Sequence, residues 1–187
     1  MSEFLDTLRE IGKELSDCLS NVSVADALQT IEQLVIAERV FVAGAGRSGL
    51  AMRAFGMRLM HLGKPVHVVG ETTTPAMTAN DLLIIGSGSG STPSLLLAAN
   101  KARKLGSRII LITADPESVI ALVAETVVKI NARTPKAEST SGYVSVQPMG
   151  NLFEQSLFIL LDAIAIALMP RLGETEESMF ERHANVE

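Results

Sequence analysis

Five short apolar runs, at 39–43, 66–69, 82–85, 108–113 and 126–130, are separated by stretches whose apolar residues recur at helical spacing, at 48–62, 93–105 and 116–124. Most of the runs are continuously apolar rather than alternating, which is the pattern of a strand covered on both faces. Strands alternating with helices predict a parallel sheet with right-handed crossovers. The expected fold is therefore α/β, a three-layer α/β/α sandwich around a five-stranded parallel sheet in the flavodoxin-like order 2-1-3-4-5. Gly63 and Gly106 stand where left-handed helix ends belong. Thr92-Pro93 and Asp115-Pro116 each give an N-cap followed by proline at the first helical position.

Two more helices are expected before the first run. Phe4, Leu8, Ile11, Leu15 and Leu19 recur at helical spacing, and Val24, Leu28, Ile31, Leu34 and Val35 do so again after Ser23, an N-cap with Asp26 three residues on. Two further helices, near 149–170 and 174–182, close the chain, with Gly173 between them. At 187 residues this is one domain, residues 1–187 with a core at about 29–172, large enough to fold without disulfides or a structural metal.

Composition narrows the function classes. A formal charge of −5, one tyrosine and no tryptophan leave neither a basic stripe nor stacking aromatics for nucleic acid. The single cysteine, Cys18, makes no internal disulfide, and the acidic start of the chain lacks the basic and then apolar run of a signal peptide, so a cytoplasmic protein is expected. The apolar stretch 157–169 is too short to span a bilayer and contains Asp162, so it is expected to be a buried helix and not a membrane segment. His61, His67 and His183 stand far apart, with no Cys/His/Asp cluster at ligand spacing, and no metal site is indicated.

Two turns carry the chemistry: Gly44-Ala45-Gly46-Arg47-Ser48-Gly49 and Ser87-Gly88-Ser89-Gly90-Ser91-Thr92, each between an apolar run and a helix. In the expected strand order they flank the point where the sheet opens a crevice at its carboxyl edge. In the second turn glycines let the backbone approach a ligand, Ser87, Ser89, Ser91 and Thr92 offer hydroxyls, and the helix start at Pro93 aims free amides inward. That describes a phosphate cradle, although a solvated surface turn has the same composition. The terminal Gly-Lys-Ser/Thr of a nucleotide P-loop is missing. The first turn, Gly44-x-Gly46-x-x-Gly49, also fits a dinucleotide fingerprint, with Glu71 where a ribose-binding acid would stand. Against that reading, it leaves the second turn without a role. The segment 131–148, rich in Thr, Ser, Lys and Pro, is a long loop of the kind that often carries function.

The two turns on this strand pattern resemble the sugar isomerase (SIS) domain family. Met57-Arg58-Leu59-Met60-His61-Leu62-Gly63, Gly70-Glu71-Thr72-Thr73-Thr74-Pro75-Ala76, Gln147-Pro148-Met149-Gly150-Asn151-Leu152-Phe153-Glu154-Gln155 and Met179-Phe180-Glu181-Arg182-His183-Ala184-Asn185-Val186-Glu187 are similar, more narrowly, to the 6-phospho-3-hexuloisomerases. Many SIS domains carry glutamate where this chain has Ser91, and Leu is usual at Val186. The resemblance implies interconversion of D-arabino-hex-3-ulose 6-phosphate and D-fructose 6-phosphate in the ribulose monophosphate pathway of formaldehyde metabolism. It also implies no metal or organic cofactor, a small phosphosugar as partner, and a homotetramer with sites near subunit interfaces.

Moving a carbonyl between C3 and C2 needs a base that removes a carbon-bound proton, passes through an enediolate and returns the proton next door. Glu154, in the first turn of the helix after the long loop, is the expected base; an exposed helix-capping acid is the plain alternative. The resemblance gives His183, often supplied by an adjacent subunit, to ring opening or proton transfer between oxygens. It gives Arg47 and Ser48 to contacts with substrate hydroxyls or phosphate, a plain surface cation being the alternative for Arg47, and with the cradle Ser87, Gly88, Ser89, Gly90, Ser91 and Thr92 these make up the expected substrate-binding set. Another phosphosugar isomerase and a non-catalytic phosphosugar-binding protein remain the alternatives.

Overall fold

A computed structural model describes residues 2–137 and 144–186. Two helices, α1 (Ser2–Leu19) and α2 (Val24–Ile36), lead into β1 (Val40–Gly44), α3 (Gly46–His61), β2 (Val66–Val68), β3 (Leu82–Gly86), α4 (Pro93–Leu105), β4 (Arg108–Thr113), β5 (Thr126–Lys129), α5 (Asn151–Leu172) and α6 (Glu176–Glu181). The strands form one parallel sheet in the order β2-β1-β3-β4-β5. The order expected from the sequence is met, and the direction of winding reverses between β1 and β3.

Alternation along each strand builds two cores. Val40, Val42, Leu82, Ile84, Ile110, Ile112 and Val128 face α2, α3 and α5, while Phe41, Ala43, Leu83, Ile85, Ile109 and Leu111 face α4. That double coverage is why the strands read as continuous apolar runs. Helix ends match their sequence signals: Ser23 Oγ accepts from Asp26 N at 3.2 Å, Pro93 stands at the start of α4, and Gly63 and Gly106 are left-handed at helix ends.

The stretch 116–124 corrects the expectation of a helix, because only residues Ala121–Val123 form a single 3-10 turn. Thr113 Oγ1 accepts from Asp115 N at 3.1 Å and Asp115 Oδ1 from Glu117 N at 3.3 Å, the second an N-cap bond on a first turn that is not continued. Ile120 N then donates to Gly90 O at 3.0 Å, tying the segment to the turn after β3.

Among the described residues α5 is the one helix that by length and composition could cross a membrane, yet half of its most apolar window is buried within the chain. Phe153, Leu157, Leu161, Ile164 and Leu168 are each at most 2% exposed. At roughly 1.5–3 kcal/mol for each large apolar side chain buried, those contacts hold α5 as the central helix of its layer.

Candidate active site

The turns after β1 and β3 open onto one cavity of about 260 Å³ at the carboxyl edge of the sheet. Three helices begin there, with Ala45, Thr92 and Gly150 as the N-caps of α3, α4 and α5, and none of the three caps makes a side-chain hydrogen bond to its helix. Elsewhere the chain does cap its helices, through Ser23 on α2 and Thr175 on α6. The first intrahelical bonds come from Gly49 N, Leu96 N and Glu154 N; of the amides before them Asn151 N donates to Pro148 O and Pro93 has none, which leaves those of residues 46–48, 94–95 and 152–153 outside the intrahelical ladder. Three helix dipoles ending at one point favour an anion there by about 1–3 kcal/mol in sum.

Of the residues expected in the second turn, Ser87, Gly88, Ser89 and Thr92 line this cavity. Ser87 and Ser89 are buried, and Gly88 lets the turn lie against Phe153, whose ring a Cβ there would meet at 3.2 Å. Gly90 and Ser91 are not among the lining residues. Gly90 packs against Ser118, and Ser91 is exposed, its amide donating to Ser89 Oγ at 3.4 Å.

The first turn contributes Arg47 and the buried Ser48. Gly44 and Gly49 have a packing reason independent of any dinucleotide. A Cβ on Gly44 would meet Gly49 Cα at 2.8 Å, so strand and helix touch through their backbones. Glu71 pairs with Arg53 of α3 and is not among the cavity-lining residues.

Glu154 reaches the same cavity from the first turn of α5, and Arg47 Nε donates to its Oε2 at 2.5 Å. The Glu154 side chain is 21% exposed against 60% for Arg47, so the carboxylate is the sheltered partner and the guanidinium the solvent-facing one. Sequence reasoning missed Thr134, Lys136 and Met149, which also line the cavity. The only signal for the first two was the composition of the long loop, of which residues 138–143 lie outside the described residues.

His183 is not brought to this cavity. It stacks on His61 with ring centroids 5.5 Å apart, at the far end of α3 from Arg47 and Ser48. Fourteen residues separate Arg47 from His61, about 20 Å along a helix axis. Burial, with Arg58 and His183 alongside, pushes the His61 imidazole below its ordinary range. Among the described residues no group of three or more His, Cys, Asp or Glu is gathered to hold a metal.

Residues 33–162 match the SIS domain family. The chain belongs to the SIS domain family. The 3-hexulose-6-phosphate isomerase of Bacillus subtilis (strain 168) is 43% identical over 178 residues, covering 95% of this chain and 96% of its own. The enzyme of the same name from Mycobacterium gastri is 41% identical over 187 residues, covering 99% of this chain and 92% of its own. A crystal structure from Methanococcus jannaschii, reported to infer a molecular function of 3-hexulose-6-phosphate isomerase, is 32% identical, covers all of both chains and gives a TM-score of 0.80. The resemblance carried by the motifs is borne out, and with relatives of this kind so is the expectation of an enzyme of the isomerase class.

Proposed function

We propose that this SIS-domain isomerase acts on a small phosphosugar and interconverts D-arabino-hex-3-ulose 6-phosphate and D-fructose 6-phosphate. The observation that carries the reading is the meeting of three uncapped helix starts and the Glu154 carboxylate at one cavity. The phosphoryl group sits on the cradle of Ser87, Ser89 and Thr92 with the amides of α4. Ser48 and Arg47 contact the sugar from the opposite wall. The relatives at 43% and 41% identity bear the name of this reaction.

Glu154 takes the proton from C2 of the 3-ketose, leaving a 2,3-enediolate. The hydroxyl proton on O2 moves to O3, and Glu154 returns its proton to C3, giving the 2-ketose with every atom conserved. One positioned carboxylate serves both transfers and supplies about 10²–10⁴-fold. Holding the substrate by its phosphate supplies much of the remainder. A carboxylate and an imidazole suffice for these steps, so the mechanism calls on no metal or organic cofactor.

His183 is assigned to ring opening and to the transfer between oxygens, from another copy of the chain. Its distance from Glu154 within one chain motivates this. A second support is the groove next to the site, where Arg47, Ala51, Glu154 and Gln155 are bordered by Leu50 and Phe158, which are 65% and 44% exposed. Apolar side chains left open beside a polar site suit coverage by a second subunit. We assign the working form to a homotetramer in the cytoplasm, in the ribulose monophosphate pathway.

The test is deuterium wash-in on fructose 6-phosphate in D2O with a chelator present. The wild type is expected to exchange the hydrogen on C3, and Glu154→Gln to bind the sugar phosphate but exchange nothing. No wash-in by the wild type sinks the isomerase reading, while exchange at the wild-type rate in Glu154→Gln removes Glu154 from the mechanism.

A further inference from the structure

The loop that delivers Glu154 is held from a distance. Glu14, on α1, accepts from Val146 N at 2.7 Å on one carboxylate oxygen, and from Ser145 Oγ at 2.8 Å and Gln147 Nε2 at 3.0 Å on the other. Gln147 is buried, and its Oε1 accepts from Gln155 Nε2 at 2.8 Å, which carries the connection to the residue after Glu154 in α5. Between these anchors lies Met149, with φ at +57° and its side chain 76% exposed. It is the one non-glycine among the described residues in the left-handed region. Such a residue persists only where its surroundings over-determine it. Met149 and Gly150 line the cavity, and a Cβ on Gly150 would lie 3.5 Å from Glu154 Oε1, so this backbone is the surface against which the carboxylate rests.

We propose that Glu14 is a positioning residue for the reaction, fixing residues 145–150 and through Gln147 and Gln155 the placement of the Glu154 carboxylate. The proposal rests on the reading of Glu154 as the base. Burial pushes the Glu14 carboxyl up, but the bonds from Gln147, Val146 and Ser145 outweigh it and hold the group below its ordinary range, as a carboxylate accepting three donors requires. No water or neutral amide reproduces that set, because an amide turns donors toward groups that already donate. Glu14 is not among the residues lining the cavity, so its effect belongs in the chemical step.

The test compares Glu14→Ala, Gln147→Leu and Glu154→Gln by single-turnover and steady-state exchange on fructose 6-phosphate, with melting curves alongside. Glu14→Ala is expected to lower kcat about 10²-fold, the scale of a misplacement near 1 Å, with KM changed by no more than about twofold. Added formate, a small carboxylate able to occupy the vacated position, is expected to restore part of kcat, which a general loss of stability would not allow. Gln147→Leu leaves Glu14 its bonds to Val146 N and Ser145 Oγ but removes the Gln147 bridge between Glu14 and Gln155, so it loses kcat too, and it decides the matter if Glu14→Ala does not fold. A kcat within about twofold of wild type in both variants overturns the proposal. If Glu154→Gln is then inactive, the base assignment stands. If Glu154→Gln exchanges normally, that assignment fails and takes the proposal with it.

Discussion

Gly90, expected from the sequence to touch substrate, has a packing role that a single methyl group tests. Its φ is +55°, and a Cβ there would lie 1.9 Å from Ser118 Oγ, 2.5 Å from Ser118 Cβ and 3.3 Å from Thr113 Oγ1. Two costs follow for Gly90→Ala. Left-handed backbone in a residue with a Cβ costs roughly 1–2 kcal/mol, and an extra carbon in a filled space costs roughly 1–3 kcal/mol. The sum is about 2–5 kcal/mol, a large part of a domain's net stability. The backbone cannot step aside easily, since Gly90 N donates to Ser87 O at 3.1 Å and Gly90 O accepts from Ile120 N at 3.0 Å. Ser118→Gly removes the two closest atoms but not the conformational cost. In that background Gly90→Ala should therefore cost only about 1–2 kcal/mol, leaving a coupling of about 1–3 kcal/mol between the sites. Urea unfolding of the four proteins measures the cycle. A cost for Gly90→Ala below about 0.5 kcal/mol, or purely additive effects, would refute the packing argument.

Asp81 gives a pH prediction. It is fully buried, accepts from Arg39 Nε and Nη2 at 2.9 and 2.7 Å and from Thr78 N and Oγ1 at 2.6 and 3.0 Å, and these bonds outweigh burial to hold its carboxyl below the ordinary range. A carboxyl depressed in the folded state contributes stability that is present above the unfolded value of about 3.9 and lost as pH falls through the folded value. Asp81→Asn should thus cost about 1.5–3 kcal/mol at pH 7 by urea unfolding, a difference that shrinks below about pH 4; the same difference at both pH values would contradict it. The His183 assignment gives a mixing prediction, in which Glu154→Gln and His183→Asn proteins are each inactive and are unfolded and reassembled together. If neighbouring copies supply the two groups, random pairing restores about a quarter of the wild-type rate; no recovery, with mixed oligomers verified by mass, would return His183 to its own chain or remove it.

Features set within a few residues of sequence were legible, and those closed by distant contacts were not. The strand order followed from apolar runs and from turns whose Gly, Pro and Ser act on their own backbone, as at Thr92-Pro93 and Gly106. The same local logic misread 116–124, because Asp115-Pro116 has the chemistry of a helix start while Ile120 N, which a continuing helix would bond to Pro116 O, donates to Gly90 O, 30 residues away. Lys136 and Met149 reach the cavity through a loop with no periodicity to reveal its path. Glu14 lies 132 residues from Val146, and nothing in the surface pattern of α1 distinguishes it from Glu10 or Asp17. The site therefore divides by sequence range. The proposed anion end is written locally, in three helix starts beside their strands or loops. The proposed base, Glu154, by contrast adjoins a segment held by long-range hydrogen bonds, and on that proposal substitution there should alter turnover with less effect on binding. A chain with this sheet and these turns, but without an acceptor at position 14, would be expected to hold a sugar phosphate and turn it over slowly.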